Sequence, residues 1–456
     1  MLKKYLYQPV ITQHTTSLPA AFAAPITAPD ISTCVPSSSG FDPENTVRTK
    51  ACCPPATSKP IKKIEFPNDR ATRIRPAAHT VSKEYIVKYK SAIEAMRCLP
   101  DDHRHSFVSQ AKIHCAYCNG GYVTQVASGF PKIELQIHNA WLFFPFHRWY
   151  LYFYERILGK LINDPTFALP YWNWDNPAGM TLPEFFEEDG KANPAFDAYR
   201  DCNHRPPATV DLNYAGNDIS VHSCGQQIST NMIAMYRQMV TNAGDPLSFF
   251  GGKYSAGDDA GDPSVGSIEA GCHAAVHRWV SNPRMPNNED MGNFYSAGYD
   301  PVFYVHHANV DRMWKLWKEM GIKGHIEPPE PDWLNASYVF YNENIELVRV
   351  YNKDCVQLEK LKYNYQVVPI PWKYSRPVAC TKKSNIALLS VGTVKEAQDS
   401  KFPLKLDKIT KVLVKRPIIN QSKEDKENAN EVLLIKEIMF NSHKFVKFDV
   451  FVNAQI

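Results

Sequence analysis

Between His138 and His147 the chain reads NAWLFFPF, and the apolar run continues as FHRWYLYFYERILGKLI. Histidine in so apolar a setting is either buried uncharged or bound to something, because a charged ring there would lack both water and a partner. Any fold must therefore bury these two rings. Others join them among the 15 His. His273 and His277 stand four apart in HAAVHRWV, so a helix puts both on one face, a spacing that suits two ligands of one metal. His306 and His307 follow DPVFYV and open a further predicted helix. His114 lies in KIHCAYCNGG beside Cys115 and Cys118. That CxxC spacing serves zinc sites, redox disulfides and haem attachment equally well. The histidines thus form two sets: His114, His138 and His147 in the first half, and His273, His277 and His307 in the second. Three plus three imidazoles, without carboxylates or free thiols, suit copper, zinc, iron or nickel. Two such sites on a helix bundle predict a metal pair.

The organisation follows from periodicity. Tyr85, Ile86, Tyr89, Ile93 and Met96 recur at helical steps up to Pro100. A second helix is expected after Pro145, a third through AAVHRWV, and a fourth through HHANVDRMWKLWKEM with Gly321 just past its end. These four are expected to form the bundle. Residues 24–78 read as an extended, Pro-rich arm. After Pro329 the pattern turns to a period of two in SYVFYN, LVRVYN and YNYQVV. Lys373 to Pro403 resembles a linker, followed by Lys-rich strands KITKVLVKRP, EVLLIKEIMF and KFVKFDVFV. With 51 basic and 47 acidic residues the net charge is +4, which makes no case for nucleic acid. No run of 18 apolar residues is present to span a membrane. The 11 Cys, several of them in the Pro-rich arm, point to an oxidising compartment. The first 23 residues carry two lysines and no acid, which is compatible with a targeting-peptide remnant or a plain terminus.

The segments HCAYCNGGY, LQIHNAWLFFPFHRWYLYFYERILGKLI, PYWNWD, HAAVHRWV and GNFYSAGYDPVFYVHHANVDRMW resemble those of plant polyphenol oxidases, the catechol oxidase and tyrosinase group of type-3 copper proteins. The resemblance extends through PDWLNASYVFY and KFVKFDVFVN. It implies a mainly α fold: a four-helix-bundle dicopper catalytic domain with a loop-rich N-terminal arm, then a truncated β-sandwich C-terminal domain. The divisions are 1–23 targeting remnant, 24–328 catalytic domain, 329–376 β-rich segment completing the core, 377–403 linker and 404–456 C-terminal domain. It also implies two copper ions, one held by His114, His138 and His147, the other by His273, His277 and His307. The family pattern DPxFxxxHxxxD, from Asp300 to Asp311, selects His307 and leaves His306 to packing. Cys118 is implied as the thioether partner of His138, with disulfides Cys34–Cys53 and Cys52–Cys115. Glu269 resembles the family glutamate that holds a water near the metals; position alone also allows an exposed helix-start carboxylate. Phe294 matches the aromatic gate over the second copper.

The implied activity is oxidation of o-diphenols to o-quinones with O2 reduced to water, acting on small phenols in a plastid, specifically the thylakoid lumen. Ala274 stands where hydroxylating members carry Asn, which argues against monophenol hydroxylation. The alternatives are a specialised biosynthetic oxidase of the lignan or aurone kind and an oxygen-binding dicopper protein. Substrate choice is expected to depend on pocket shape near Ala274, Arg278 and Phe294. Cys272 has no account, and Cys202 and Cys224 are either a third disulfide or free.

Overall fold

The computed structural model describes residues 24–36, 52–66, 71–122, 135–216, 223–258, 264–377, 395–396 and 412–413. The predicted targeting remnant and nearly all of the predicted C-terminal strands lie outside these residues. In the region after residue 377, the described residues are two short strands, Lys395–Glu396 parallel to Val412–Leu413. All that follows concerns the compact unit Phe22–Pro377.

That unit is mainly α. Its longer helices are α1 (Lys83–Arg97), α2 (Phe107–Cys118), α3 (Phe143–Leu161), α4 (Cys224–Tyr236), α5 (Pro246–Phe250), α6 (Ala274–Val280) and α7 (Val302–Glu319). Local chemistry fixes several starts. Ser82 and Ser106 accept the Tyr85 and Ser109 N–H groups and so cap α1 and α2. Ser223 and Gln226 form a reciprocal capping box on α4. Gly321, at φ +65°, closes α7 in the left-handed region that favours glycine.

Three expectations change here. The ligand-bearing helices are α2, α3, α6 with the turn before it, and α7; α1 packs against α3 but carries no histidine of either set. The sequence shows no period for α2 because ten of its 12 residues are buried, which leaves no polar face to mark. α7 also begins at Val302, so His306 and His307 lie inside it rather than opening it. α3 likewise begins at Phe143, with Pro145 in its first turn, where a missing N–H is tolerated.

The arm is tied into the fold by short strands. β1 (Lys62–Lys63) runs parallel to β4 (Leu347–Tyr351), which pairs antiparallel with β3 (Ser337–Tyr341). β2 (Arg73–Arg75) runs parallel to β5 (Tyr363–Tyr365). Disulfides join Cys34 to Cys53 and Cys52 to Cys115, the second anchoring the arm to α2. Cys202 and Cys224 are exposed free thiols, so no third disulfide joins them.

A buried charge network ties β2, α3, α7 and β5 together. Asp311 accepts from Arg148 Nε at 2.5 Å, Tyr363 OH at 2.6 Å and Tyr365 OH at 2.5 Å. Arg75 bridges Glu155, at 2.8 Å, to Tyr365, at 3.0 Å. Arg148 also stacks on Trp314, 3.4 Å from its ring centre. Burial alone would raise the Asp311 pKa, but Arg148 and Arg75 hold it below the ordinary carboxylate value. A depressed folded pKa contributes stability that is complete above the unfolded value and lost as pH falls through the folded one. Asp311→Asn should therefore destabilise the unit by about 3–5 kcal/mol at neutral pH, leaving buried arginine charge uncompensated. The deficit should shrink in acid. Denaturant unfolding at a series of pH values measures both.

Candidate metal centre

Seven histidines converge in the bundle: His114 from α2, His138 from the loop before α3, His147 from α3, His273 and His277 around the start of α6, and His306 and His307 from α7. Donor atoms of His114, Cys118, His138 and His147 lie within 4.8 Å of one another, as do those of His273, His277, His306 and His307. The two groups adjoin, with the His147 and His307 rings stacked at 4.1 Å. Burial drives every one of these imidazoles below its ordinary pKa, His114 to about 3 and His277 to about 4. All seven are therefore uncharged and able to donate a lone pair.

Hydrogen bonds choose which nitrogen carries that lone pair. His114 Nδ1 contacts the Phe294 carbonyl at 2.8 Å and His277 Nδ1 the Met291 carbonyl at 2.6 Å. His147 and His273 use the carbonyls one turn back, Phe143 at 2.8 Å and Glu269 at 3.0 Å. A carbonyl only accepts, so Nδ1 holds the proton and Nε2 is left as the free donor. This is how ligating imidazoles are held. The Nε2 atoms of His114, His147 and His273 are buried with no partner among the described residues. His277 and His307 bring their Nε2 atoms to 3.2 Å. Two nitrogens each about 2.0–2.1 Å from one ion stand about that far apart at a tetrahedral angle.

His306 differs. Trp174 Nε1 donates to its Nδ1 at 3.1 Å. The neutral ring must then carry its proton on Nε2, the atom that would have to face a metal. His306 is fully buried and packs against His273 and His277.

Glu269 is buried, with only 4% of its surface exposed, and is not a helix-start surface carboxylate. Its Oε1 accepts the Asn139 N–H at 2.8 Å, next to His138, and its Oε2 has no partner among the described residues. Burial raises its pKa to about 8, with the Asn139 hydrogen bond opposing. The Phe294 ring lies 4.4 Å from His138, stacked, and 6.3 Å from His114. It thus covers the first histidine set, not the second, because its own carbonyl is pinned to His114. Phe294 is 40% exposed, and Arg278 is exposed with it, so both lie on the open side of the centre. Cys118 is a buried thiol grouped with His138, whose Nδ1 has no partner among the described residues. Cys272 is buried with its thiol pKa raised by burial, which makes it an inert packing group.

Two uncharged three-histidine pockets side by side define a dinuclear, all-imidazole metal protein, and the orphaned Nε2 atoms fit copper. Comparison with known proteins narrows the class. The common central domain of tyrosinase matches residues 104–320, the polyphenol oxidase middle domain residues 327–378, and the chloroplastic polyphenol oxidase C-terminal domain residues 402–456. A chloroplastic polyphenol oxidase of Malus domestica is 49% identical, over 95% of this chain and 73% of its own length. Aureusidin synthase of Antirrhinum majus is 46% identical, over 94% of this chain and 75% of its own length. Among solved structures, a latent aurone synthase superposes with a TM-score of 0.79 at 59% identity, over 89% of this chain and 79% of that one. The Grenache (Vitis vinifera) polyphenol oxidase gives 0.71 at 49%, over 76% and 99%. The chain belongs to the plant polyphenol oxidase family and is a copper oxidoreductase.

His277→Ala should leave the far-UV circular dichroism unchanged, since the apolar faces of the bundle remain. Elemental analysis should then find close to one copper per chain where the unaltered protein holds two, with phenol oxidation abolished.

Proposed function

We propose that this enzyme oxidises o-diphenols to o-quinones with O2 as acceptor, and that it is poor at hydroxylating monophenols. The observation that carries this is the pair of adjoining three-imidazole pockets, in which the Nε2 atoms of His114, His147 and His273 are buried with no partner among the described residues. His114, His138 and His147 would hold one copper, and His273, His277 and His307 the other; the Trp174 hydrogen bond speaks against His306 as a ligand. When bound, a copper pair supplies the two-electron chemistry that links diphenol oxidation to O2 reduction. Each diphenol gives up two electrons and two protons, so two diphenols reduce one O2 to two waters.

The chain's own residues handle position and protons. Backbone carbonyls at Phe143, Glu269, Met291 and Phe294 orient four of the rings. Glu269 Oε2 is the group able to hold a water or take a proton from a phenol hydroxyl. Phe294, on the exposed side over His138 and His114, offers a ring face for a substrate ring to stack on. Ala274, directly after His273, brings no amide to aim a water held by Glu269. A diphenol is readily oxidised without that aim, whereas a phenol of pKa about 10 must first lose its proton. The burial of Cys118 with His138 supports a thioether between them, which would fix the ring's rotamer.

Small phenols are the substrates this reading implies, and among the described residues no helix is long and apolar enough to cross a membrane. The chloroplastic relatives support a plastid location. The thylakoid lumen is the finer reading, supported by two disulfides, which need an oxidising compartment. A specialised role is the second reading, because an aurone synthase and an aureusidin synthase are among the relatives.

A panel of catechol, caffeate-type phenols, tyramine and a chalcone on copper-loaded protein tests the substrate reading. Catechols should turn over readily and tyramine slowly or not at all. Ala274→Asn should raise the tyramine rate within the roughly 10²- to 10⁴-fold range of a well-placed base, and the catechol rate less. Equal wild-type rates on tyramine and its catechol would rule out the Ala274 argument. The thioether is checked by mass: after reduction the chain should be lighter by the two hydrogens the bond removes. Alkylation should then label all but one of the 11 Cys.

A further inference from the structure

The polypeptide between Ser267 and His273 makes three contributions to the metal centre. The Glu269 carbonyl holds His273 Nδ1 at 3.0 Å, the Glu269 carboxyl holds the Asn139 N–H at 2.8 Å, and His273 itself faces the second pocket. This segment is a π-helical turn, Glu269–His273, and it is broken: Gly271 leaves helical geometry at φ −92°, ψ −113°. A break of this kind frees backbone groups, and something must satisfy them.

What fills the break comes from another helix. α4 ends in a second π-helical turn, Arg237–Thr241, which brings Gln238 against the first. Gln238 Oε1 accepts the Cys272 N–H at 2.7 Å, just past the break. The Gln238 backbone carbonyl accepts Ser267 Oγ at 2.8 Å, just before it. One residue therefore grips the segment at both ends. The fit is close enough to dictate the neighbour: a Cβ at position 271 would stand 2.2 Å from the Gln238 carboxamide. Any side chain there would push the carboxamide off the Cys272 N–H. π-turns recur at functional sites because they re-aim a side chain that a regular helix would misplace. Here two of them interlock through one amide.

We propose that Gln238 is a positioning residue for the second copper pocket, its carboxamide wedged into the break at Gly271 to set the backbone that aims His273 and seats Glu269. Gln238 acts through the backbone and not by contact with metal or substrate. The proposal rests on His273 being a copper ligand, as argued above. Groups that orient metal ligands in this way are worth about 10- to 100-fold in metal affinity or activity.

The test uses copper-loaded full-length protein dialysed against a chelator, with copper per chain followed by elemental analysis. Gln238→Met fills the same space without an acceptor, and Gln238→Glu keeps the acceptor. Gln238→Met should lose one of its two coppers at least about tenfold faster than wild type, and its kcat should fall with KM little changed. Gln238→Glu should restore retention to near the wild-type rate. A purely structural role would instead lower the unfolding midpoint of the copper-free protein and leave retention unchanged. Wild-type retention in Gln238→Met overturns the proposal, and so does equally fast loss from both variants. If circular dichroism shows Gln238→Met unfolded, Gln238→Asn, one methylene too short to reach Cys272, decides by the same criteria. A wild-type protein that holds no copper would instead sink the copper reading itself.

Discussion

The structure depends on keeping seven imidazoles dry and uncharged in one place. Among the described residues none of the seven forms an ion pair with an acid, and burial, helped by the neighbouring rings, pushes them below their usual pKa. A buried neutral ring is tolerable only when its N–H is satisfied, and a metal site needs the other nitrogen bare. Four backbone carbonyls meet both conditions at once. Two belong to the ligands' own helices, one turn earlier. The other two, Met291 and Phe294, come from a single loop that serves one histidine of each set. That loop therefore registers the two pockets against each other, and its Phe294 ring also walls the open side.

The same helices keep their charges a short step away. His147 is followed by Arg148, and Asp311 lies one turn beyond His307. The Arg75, Glu155, Arg148 and Asp311 cluster is as deeply buried as the metal centre. It neutralises itself, with tyrosine hydroxyls taking up the remaining acceptor capacity of Asp311. The bundle thus holds two polar cores of opposite logic: one of neutral rings, four of them held with Nε2 bare, the other ionic and internally paired.

Much of this was legible in the sequence. The apolar surroundings of His138 and His147 and the four-residue step from His273 to His277 foretold buried rings in two sets. The closing period-two segments foretold β3, β4 and β5. What escaped was whatever local pattern does not encode. Helix α2 is buried on nearly every side, so it has no amphipathic signature, and Ser106 was the one local mark of its start. The break at Gly271 and its filling by Gln238 involve residues 33 and 34 positions apart, and nothing in either segment alone announces the other. Phe294 was placed over the wrong histidine set because spacing along the chain says nothing about which way a loop folds back. The arm looked extended, yet its strands find partners near the end of the unit.

That last pairing has a kinetic consequence. Arg75 meets Tyr365 across 290 residues of sequence, and Lys62 meets Val348 in the same parallel manner. Contacts so remote along the chain place the unit at the slow end of folding. A ribosome adding about 5–20 residues per second needs roughly 15–60 s to bring β5 out after β2. Throughout that interval Arg75 lacks the Tyr365 hydroxyl, with Asp311 following it only after 236 residues, and β2 has no β5 to pair with. The pairing of the arm therefore waits on strands that are among the last of the unit to be made.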